Sequence, residues 1–338
     1  MYFSLIAKIC ECDLDFSILK KKTILITGGT GLVGTVLTQM FLKLDEEYSL
    51  NLKLCLVSRN REKFNEKFFG ESRVVFLEQD MSKSFEFNEH IDYIIHLAAN
   101  THPMAYANFP VETITINVLG TLNLLELCKK NPGSRFLNLS SVEIYGENNS
   151  NKLYFDEKDF GFIDCNTVRA GYNESKRTCE ALCQAYLKQF GVDFVTARLC
   201  RCYGPTLQKD DSKALSQFIF KAINGEDIVL KSEGNQFFSY IDVFSACTAL
   251  ITILLKGKCG EAYNISDKES DIKLKDLASL IANYTGTKVI FELPNENEKS
   301  GFSKATIALL DSQKLMGLGW KPIFCIKDGI KATLELLR

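Results

Sequence analysis

Residues 23–34 read Thr23-Ile24-Leu25-Ile26-Thr27-Gly28-Gly29-Thr30-Gly31-Leu32-Val33-Gly34. The first five, with a continuous apolar centre, form the pattern of a strand buried on both faces. A glycine turn follows at once, and residues 32–44 carry the period of a helix. The glycines at 28, 31 and 34 divide three tasks in such a turn. The first permits the tight bend, the second lets the backbone approach a pyrophosphate, and the third lets helix and strand pack closely. The helix N-terminus then offers unpaired N–H groups to the anion. A purely structural turn would look the same in isolation. Its position between strand and helix is what favours dinucleotide binding.

The same alternation continues outward. Strand-length apolar runs lie at 53–57, 74–77, 93–97, 135–139 and 194–198, with helical stretches at 111–130 and 175–190. Strands and helices in that order predict an α/β fold, a Rossmann-type doubly wound parallel sheet with right-handed crossovers. Beyond residue 198 the order loosens, with turn signals at Tyr203-Gly204-Pro205, Asn224-Gly225 and Glu233-Gly234-Asn235. The expected organisation is a helical lead-in at 1–22, a dinucleotide-binding domain at 23–199 and a smaller mixed α/β substrate lobe at 200–338. Ligands of open parallel sheets bind at the carboxyl ends of the strands, so the chemistry is expected there.

Composition narrows the function classes. The chain has 338 residues, with 40 Lys+Arg against 42 Asp+Glu for a net charge of −2. That balance lacks the basic surplus of a nucleic-acid binder. No apolar run was expected to reach the roughly 18–20 residues that cross a bilayer. Residues 1–12 have neither the basic lead-in nor the small-residue cleavage site of a secretory leader. Twelve cysteines with only three histidines, and no paired C-x-x-C spacing, argue against zinc and for no metal site. Buried free thiols in a reducing cytoplasm are the expected reading.

The end of the second strand bears on the cofactor. An Asp or Glu there would bond the ribose 2′-hydroxyl of NAD, whereas this chain has Ser58-Arg59. Arg59 either receives a 2′-phosphate, which permits NADP, or is a solvated loop residue. Asp80, after the third strand, is placed to reach an adenine amino group.

Tyr-x-x-x-Lys occurs three times, at Tyr154/Lys158, Tyr172/Lys176 and Tyr284/Lys288. Only Tyr172 leads into a long helical pattern, which sets positions four apart on one face. A phenol is a poor base at pH 7, and lowering its pKa three units takes about 4 kcal/mol. An ammonium about 5 Å away supplies roughly 3 kcal/mol. Ser140 or Ser141, after the fifth strand, can orient the same substrate oxygen.

These residues resemble the extended short-chain dehydrogenase/reductase family in its nucleotide-sugar epimerase/dehydratase branch. The matching stretches are the glycine turn, His96-Leu97-Ala98-Ala99, Asn117-Val118-Leu119-Gly120-Thr121, residues 140–146, Tyr172 through Lys176, and Arg198 through Tyr203-Gly204-Pro205. The resemblance implies NAD as cofactor, with NADP possible, and a nucleotide-diphosphate sugar as substrate. It implies that Gly28, Thr30, Gly31, Leu32, Val33 and Gly34 hold the pyrophosphate, with Ser58, Arg59, Asp80 and Met81 around the adenosine. Leu97, Ala98, Ala99 and Asn117 would border the nicotinamide ribose. Tyr172 would take the sugar O4 proton, Lys176 would bind the ribose and tune Tyr172, and Ser141 would complete the relay. Oxidation at C4 gives a 4-keto sugar, which leads to epimerisation or 4,6-dehydration, or alternatively to decarboxylation of a UDP-glucuronate-type substrate or a net 4-dehydrogenase or 4-keto reductase reaction.

Glu143 stands where dehydratases and decarboxylases of this branch carry a carboxylate and simple 4-epimerases usually lack one. Three positions depart from the pattern. Val142 replaces the dehydratase Asp, Gln236 stands where decarboxylases carry Arg before Phe-x-Tyr, and Arg201 replaces a substrate-binding Asn. Ser140, Arg201, Gln236 and Tyr240 are therefore the expected substrate contacts. The helices at 111–130 and 175–190 are apolar beyond one stripe, which fits a homodimer paired through a four-helix bundle, as the family does.

Overall fold

The computed structural model describes residues 1–84, 86–101, 103–148, 152–292 and 306–338. Seven parallel strands form its central sheet: β1 (Thr23–Thr27), β2 (Lys53–Ser58), β3 (Val74–Glu78), β4 (Tyr93–His96), β5 (Arg135–Ser141), β6 (Asp193–Leu199) and β7 (Ala262–Ile265). Their order is β7-β6-β5-β4-β1-β2-β3. The chain winds outward from β1 in one direction through β2 and β3, then returns to β4 and winds the other way. The order therefore reverses between β1 and β4, and that switch point opens a crevice at the strands' carboxyl ends.

Alternate strand residues face opposite layers. On one face Leu25, Cys55, Ile94, Phe136 and Phe194 are buried under α3 (Pro110–Lys130) and α4 (Ala170–Phe190). On the other, Ile24, Ile26, Leu54, Leu56 and Val195 pack with α1 (Leu32–Tyr48) and α5 (Val243–Lys256). Helix α2 (Arg61–Phe68) follows β2 and starts on Asn60, whose side chain accepts from Lys63 N. That contact satisfies one of the first-turn donors. The lead-in forms a short helix, Tyr2–Ile6, and two 3₁₀ turns. It buries Leu5, Ile9, Phe16 and Leu19 in the core of the α1/α5 face.

A second sheet is built around the strand Phe237–Asp242, antiparallel to Asp271–Lys273 and parallel to Ile307–Leu310 and Arg201–Tyr203. The expected break at residue 199/200 does not follow the sheets. Tyr154–Phe155, from the first half, pairs with Ile307–Leu310, and β7, from the second half, pairs with β6 in the large sheet. One further expectation fails. At 21 residues α3 is long and apolar enough to span a bilayer. Its Gly120, Thr121, Leu124, Leu125 and Cys128 are nevertheless buried against protein. The twelve cysteines are all unpaired.

Candidate active site

The crevice at the switch point widens into a cavity of about 1080 Å³ that runs from the glycine turn to the second sheet. That is larger than most single-ligand pockets, which span roughly 300–1,000 Å³. Gly28, Thr30, Gly31, Leu32, Val33 and Gly34 line one end. Gly28 has φ +68°, and a Cβ there would sit 2.9 Å from Ala98 N. A Cβ on Gly34 would lie 2.2 Å from Gly28 O, so helix and turn touch only because it is glycine. A Cβ on Gly31 would meet only Gly28 O, at 3.3 Å, and would otherwise project into the cradle. The space it leaves is backbone-lined at a helix N-terminus, which fits the pyrophosphate of a dinucleotide.

Thr27 braces the opposite lip, a role not read from the sequence. Its hydroxyl oxygen accepts from Leu97 N and Ala98 N at 3.2 and 3.1 Å and contacts His96 Nδ1 at 2.8 Å. His96 is fully buried, and desolvation lowers its pKa to about 3, so it stays neutral. The loop Leu97-Ala98-Ala99 thereby reaches the cavity, as do Ser58, Arg59 and Met81.

Two residues expected at the cofactor do not line the cavity wall. Asp80 is not among the cavity-lining residues: one of its carboxylate oxygens accepts from Ser82 N and Oγ at 3.0 and 2.8 Å, and those bonds, with the Arg59 charge nearby, lower its pKa. Asn117 is wholly buried behind the site, where its Nδ2 bonds Ser175 Oγ at 2.9 Å and ties α3 to α4.

Tyr172 and Lys176 lie one turn apart in α4, both facing the cavity. The Ser141 and Tyr106 hydroxyls lie close enough to favour the Tyr172 anion. The Tyr106 ring also stacks on it at 4.8 Å. Burial acts in the other direction and raises the phenol above its ordinary 10, with Glu143 adding to the rise. Lys176 Nζ donates to Leu139 O at 2.7 Å, and burial lowers its pKa. The electrostatic help expected from Lys176 is thus opposed by desolvation of both partners.

Of the two serines, Ser141 is the one whose side chain favours the Tyr172 anion. Ser140 lines the cavity wall, but its hydroxyl donates to Glu180 Oε1 at 2.5 Å. Glu180 is held in turn by Arg198 Nη2 at 2.7 Å, which ties Ser140 into the frame of the site and leaves its oxygen only as an acceptor toward the cavity.

Deeper in, Glu143 lies between two arginines, with Arg169 Nη2 and Arg201 Nη2 each 3.6 Å from it. Arg201 stacks on Phe238 at 3.5 Å, and its Nη1 is buried without a partner. Strand register sets Arg201 opposite Tyr240, and Gln236 and Tyr240 also line this end. Arg169, the residue that precedes α4 and stands three positions before Tyr172, was given no role from sequence. Tyr106 gave no signal, since its helix Pro103–Asn108 reaches the site only through the tertiary fold.

The family model described as NAD dependent epimerase/dehydratase matches residues 24–266, which include both the glycine turn and the Tyr172–Lys176 turn. The chain belongs to that family. Epimerase/dehydratase membership brings NAD as the cofactor, and the glycine cradle and the Leu97–Ala99 loop are the residues that would hold it. Among relatives, the chain is 29% identical over 321 residues to UDP-glucuronic acid decarboxylase 3 of Arabidopsis thaliana, covering 93% of this chain and 89% of that protein. It is 28% identical over 318 residues to UDP-glucuronic acid decarboxylase 1 of Xenopus tropicalis, covering 94% and 72%. Among solved folds, the UDP-glucuronic acid 4-epimerase of Bacillus cereus, determined with UDP-glucuronic acid and NAD, superposes with TM-score 0.77 at 22% identity and covers 93% of this chain and 98% of that one.

Proposed function

We propose that this enzyme oxidises C4 of a nucleotide-diphosphate sugar to a 4-keto intermediate. The observation that carries the reading is that Tyr172, Lys176 and Ser141 together line the wall of a cavity whose other end is a glycine cradle. NAD bound in that cradle supplies a hydride acceptor for C4–H. Tyr172 takes the C4 hydroxyl proton, with Ser141 holding the same oxygen. Lys176 anchors the wall through Leu139 O and keeps positive charge beside the forming phenolate.

The family name covers epimerisation and 4,6-dehydration of such a ketone. A decarboxylation exit is favoured by two features. The decarboxylase relatives align along nearly the whole chain. Val142, buried against the core, removes the acid that an Asp–Glu elimination uses, while loss of carbon dioxide from a 4-keto uronate needs only a proton donor at C5. Glu143, held as a carboxylate by Arg169 and Arg201, is the candidate base near C5 or the C6 carboxylate, and the C5 proton comes from solvent.

The test is incubation of the purified enzyme with UDP-glucuronate, UDP-glucose and dTDP-glucose, followed by mass analysis. Loss of carbon dioxide, loss of water or an isobaric product separates the three exits. Tyr172→Phe should lower kcat by about 10²–10⁴. Retention of full turnover would remove Tyr172 from the chemistry.

The exposed apolar side chains of Val111, Ile114 and Leu119 on α3 support pairing of two copies through α3 and α4. Sedimentation should give a dimer at micromolar concentration, and a monomer there would exclude the pairing. Unpaired thiols fit a reducing compartment such as the cytoplasm.

A further inference from the structure

Three partly buried charged side chains meet on the cavity wall, and each comes from a different element. Glu143 follows β5 in a short 3₁₀ turn, Arg169 precedes α4, and Arg201 belongs to the second sheet. Two cations thus face one carboxylate, with Arg169 Nη2 and Arg201 Nη2 on its two oxygens. One positive charge is left over. Of the other acids on the wall, Asp211 pairs with Lys213 at 3.4 Å and Asp210 is exposed. Surplus charge away from water is costly unless a ligand meets it.

Both guanidinium groups have donors to spare. At 3.6 Å neither reaches Glu143 by a direct hydrogen bond, and among the described residues neither makes one elsewhere. The Phe238 ring lies 3.5 Å beneath Arg201 and fixes the plane of its fork, whose Nη1 has no partner. A planar fork with free donors matches the two oxygens of a carboxylate.

Position selects which anion this is. Glu143 stands near enough to Tyr172 to raise its pKa, so the cluster lies beside the sugar carbon that Tyr172 serves. In a pyranose C4 adjoins C5 and the group it bears, while C1 and its diphosphate lie across the ring. We propose that Arg201 and Arg169 form a carboxylate subsite beside Glu143, which makes the enzyme take nucleotide sugars with a C6 carboxylate in preference to neutral hexoses. A uronate cancels the surplus charge, and a neutral hexose leaves it unmet. The inference rests on the C4-oxidation reading above and narrows its substrate to one class of sugar.

Calorimetry on the Tyr172→Phe variant with NAD⁺ present tests the subsite without turnover. UDP-glucuronate should bind at least about tenfold tighter than UDP-glucose. Adding Arg201→Ala should weaken UDP-glucuronate by about tenfold or more, and UDP-glucose and UDP by less than about threefold. Should that variant melt early, Arg169→Ala carries the same expectation from the other side of Glu143. Equal weakening of all three ligands would assign the arginines to the diphosphate and overturn the subsite. Equal affinity for the two sugars before the arginine is changed would overturn it as well, and either result leaves C4 oxidation standing. Binding of none of the three would count against the nucleotide-sugar reading too.

Discussion

Glu143 has two positive neighbours, and neither approaches it closely enough for a direct hydrogen bond. Arg201 therefore keeps donors for a ligand, and its buried Nη1 has no protein partner at all. A buried unsatisfied donor costs roughly 1–3 kcal/mol, so a substrate oxygen that reaches it gains binding. Arg201→Ala should raise KM for the sugar nucleotide by about tenfold or more, with a smaller change in kcat. An unchanged KM would place Arg201 outside the substrate site. Gln236 supplies no charge beside it, so Arg201 is the cation that the strand pair brings to this end. At this scale the sequence was readable where chemistry and spacing coincide. Tyr172, Lys176 and Ser141 could be chosen because one of three Tyr-x-x-x-Lys repeats heads a long helix. Tyr106 and Thr27 could not, because their contacts join segments far apart in the chain.

Among the elements, the glycine turn separates structural from functional glycine. Gly34→Ala forces a Cβ against Gly28 O at 2.2 Å, so thermal melting should report a destabilised fold, by roughly 1–3 kcal/mol for such overpacking. Gly31→Ala meets protein only at 3.3 Å and should melt close to the parent. Its methyl group occupies the pyrophosphate cradle, so dinucleotide affinity should fall by about tenfold or more. Equal melting losses in the two variants would contradict this division. The first six strands of the large sheet were legible as continuous apolar runs, and their ends moved by one or two residues, as element boundaries do. Strand β7 was not, because Asn264 interrupts its apolar pattern. That residue is wholly buried, accepts from Tyr145 and donates to Phe155 O and Asp311 O. Helix α5 escaped notice for the opposite reason. Nearly every residue in it is buried, so it has no polar face to set a period.

For the molecule as a whole, stability should carry a pH signature from buried acids. Asp242 begins α5, accepting from Phe244 N and Ser245 N through one oxygen while the other is buried without a partner. Burial raises its pKa to about 6. The folded state then binds a proton more tightly than the unfolded chain. Its contribution is present at low pH and is lost as pH rises from about 4 to 6, roughly 3 kcal/mol in all. Neutral His96 opposes this, since its lowered pKa makes the fold lose stability as pH falls below about 6.5. Comparing Asp242→Asn with the parent isolates the acid: the variant's melting temperature relative to the parent should climb from pH 4 to 7. A flat difference would mean that Asp242 is not desolvated.

Strand β7 completes the nucleotide-binding sheet with residues that come after much of the second sheet has been threaded. Strand β6 is covered on that side by residues 262–265 alone. A fragment ending at Leu199 would leave its backbone donors and acceptors bare along one margin, an invitation to stick to other molecules. Crystallographers and engineers who want the nucleotide half by itself should carry β7 with it, through a fused linker or a rearranged chain order.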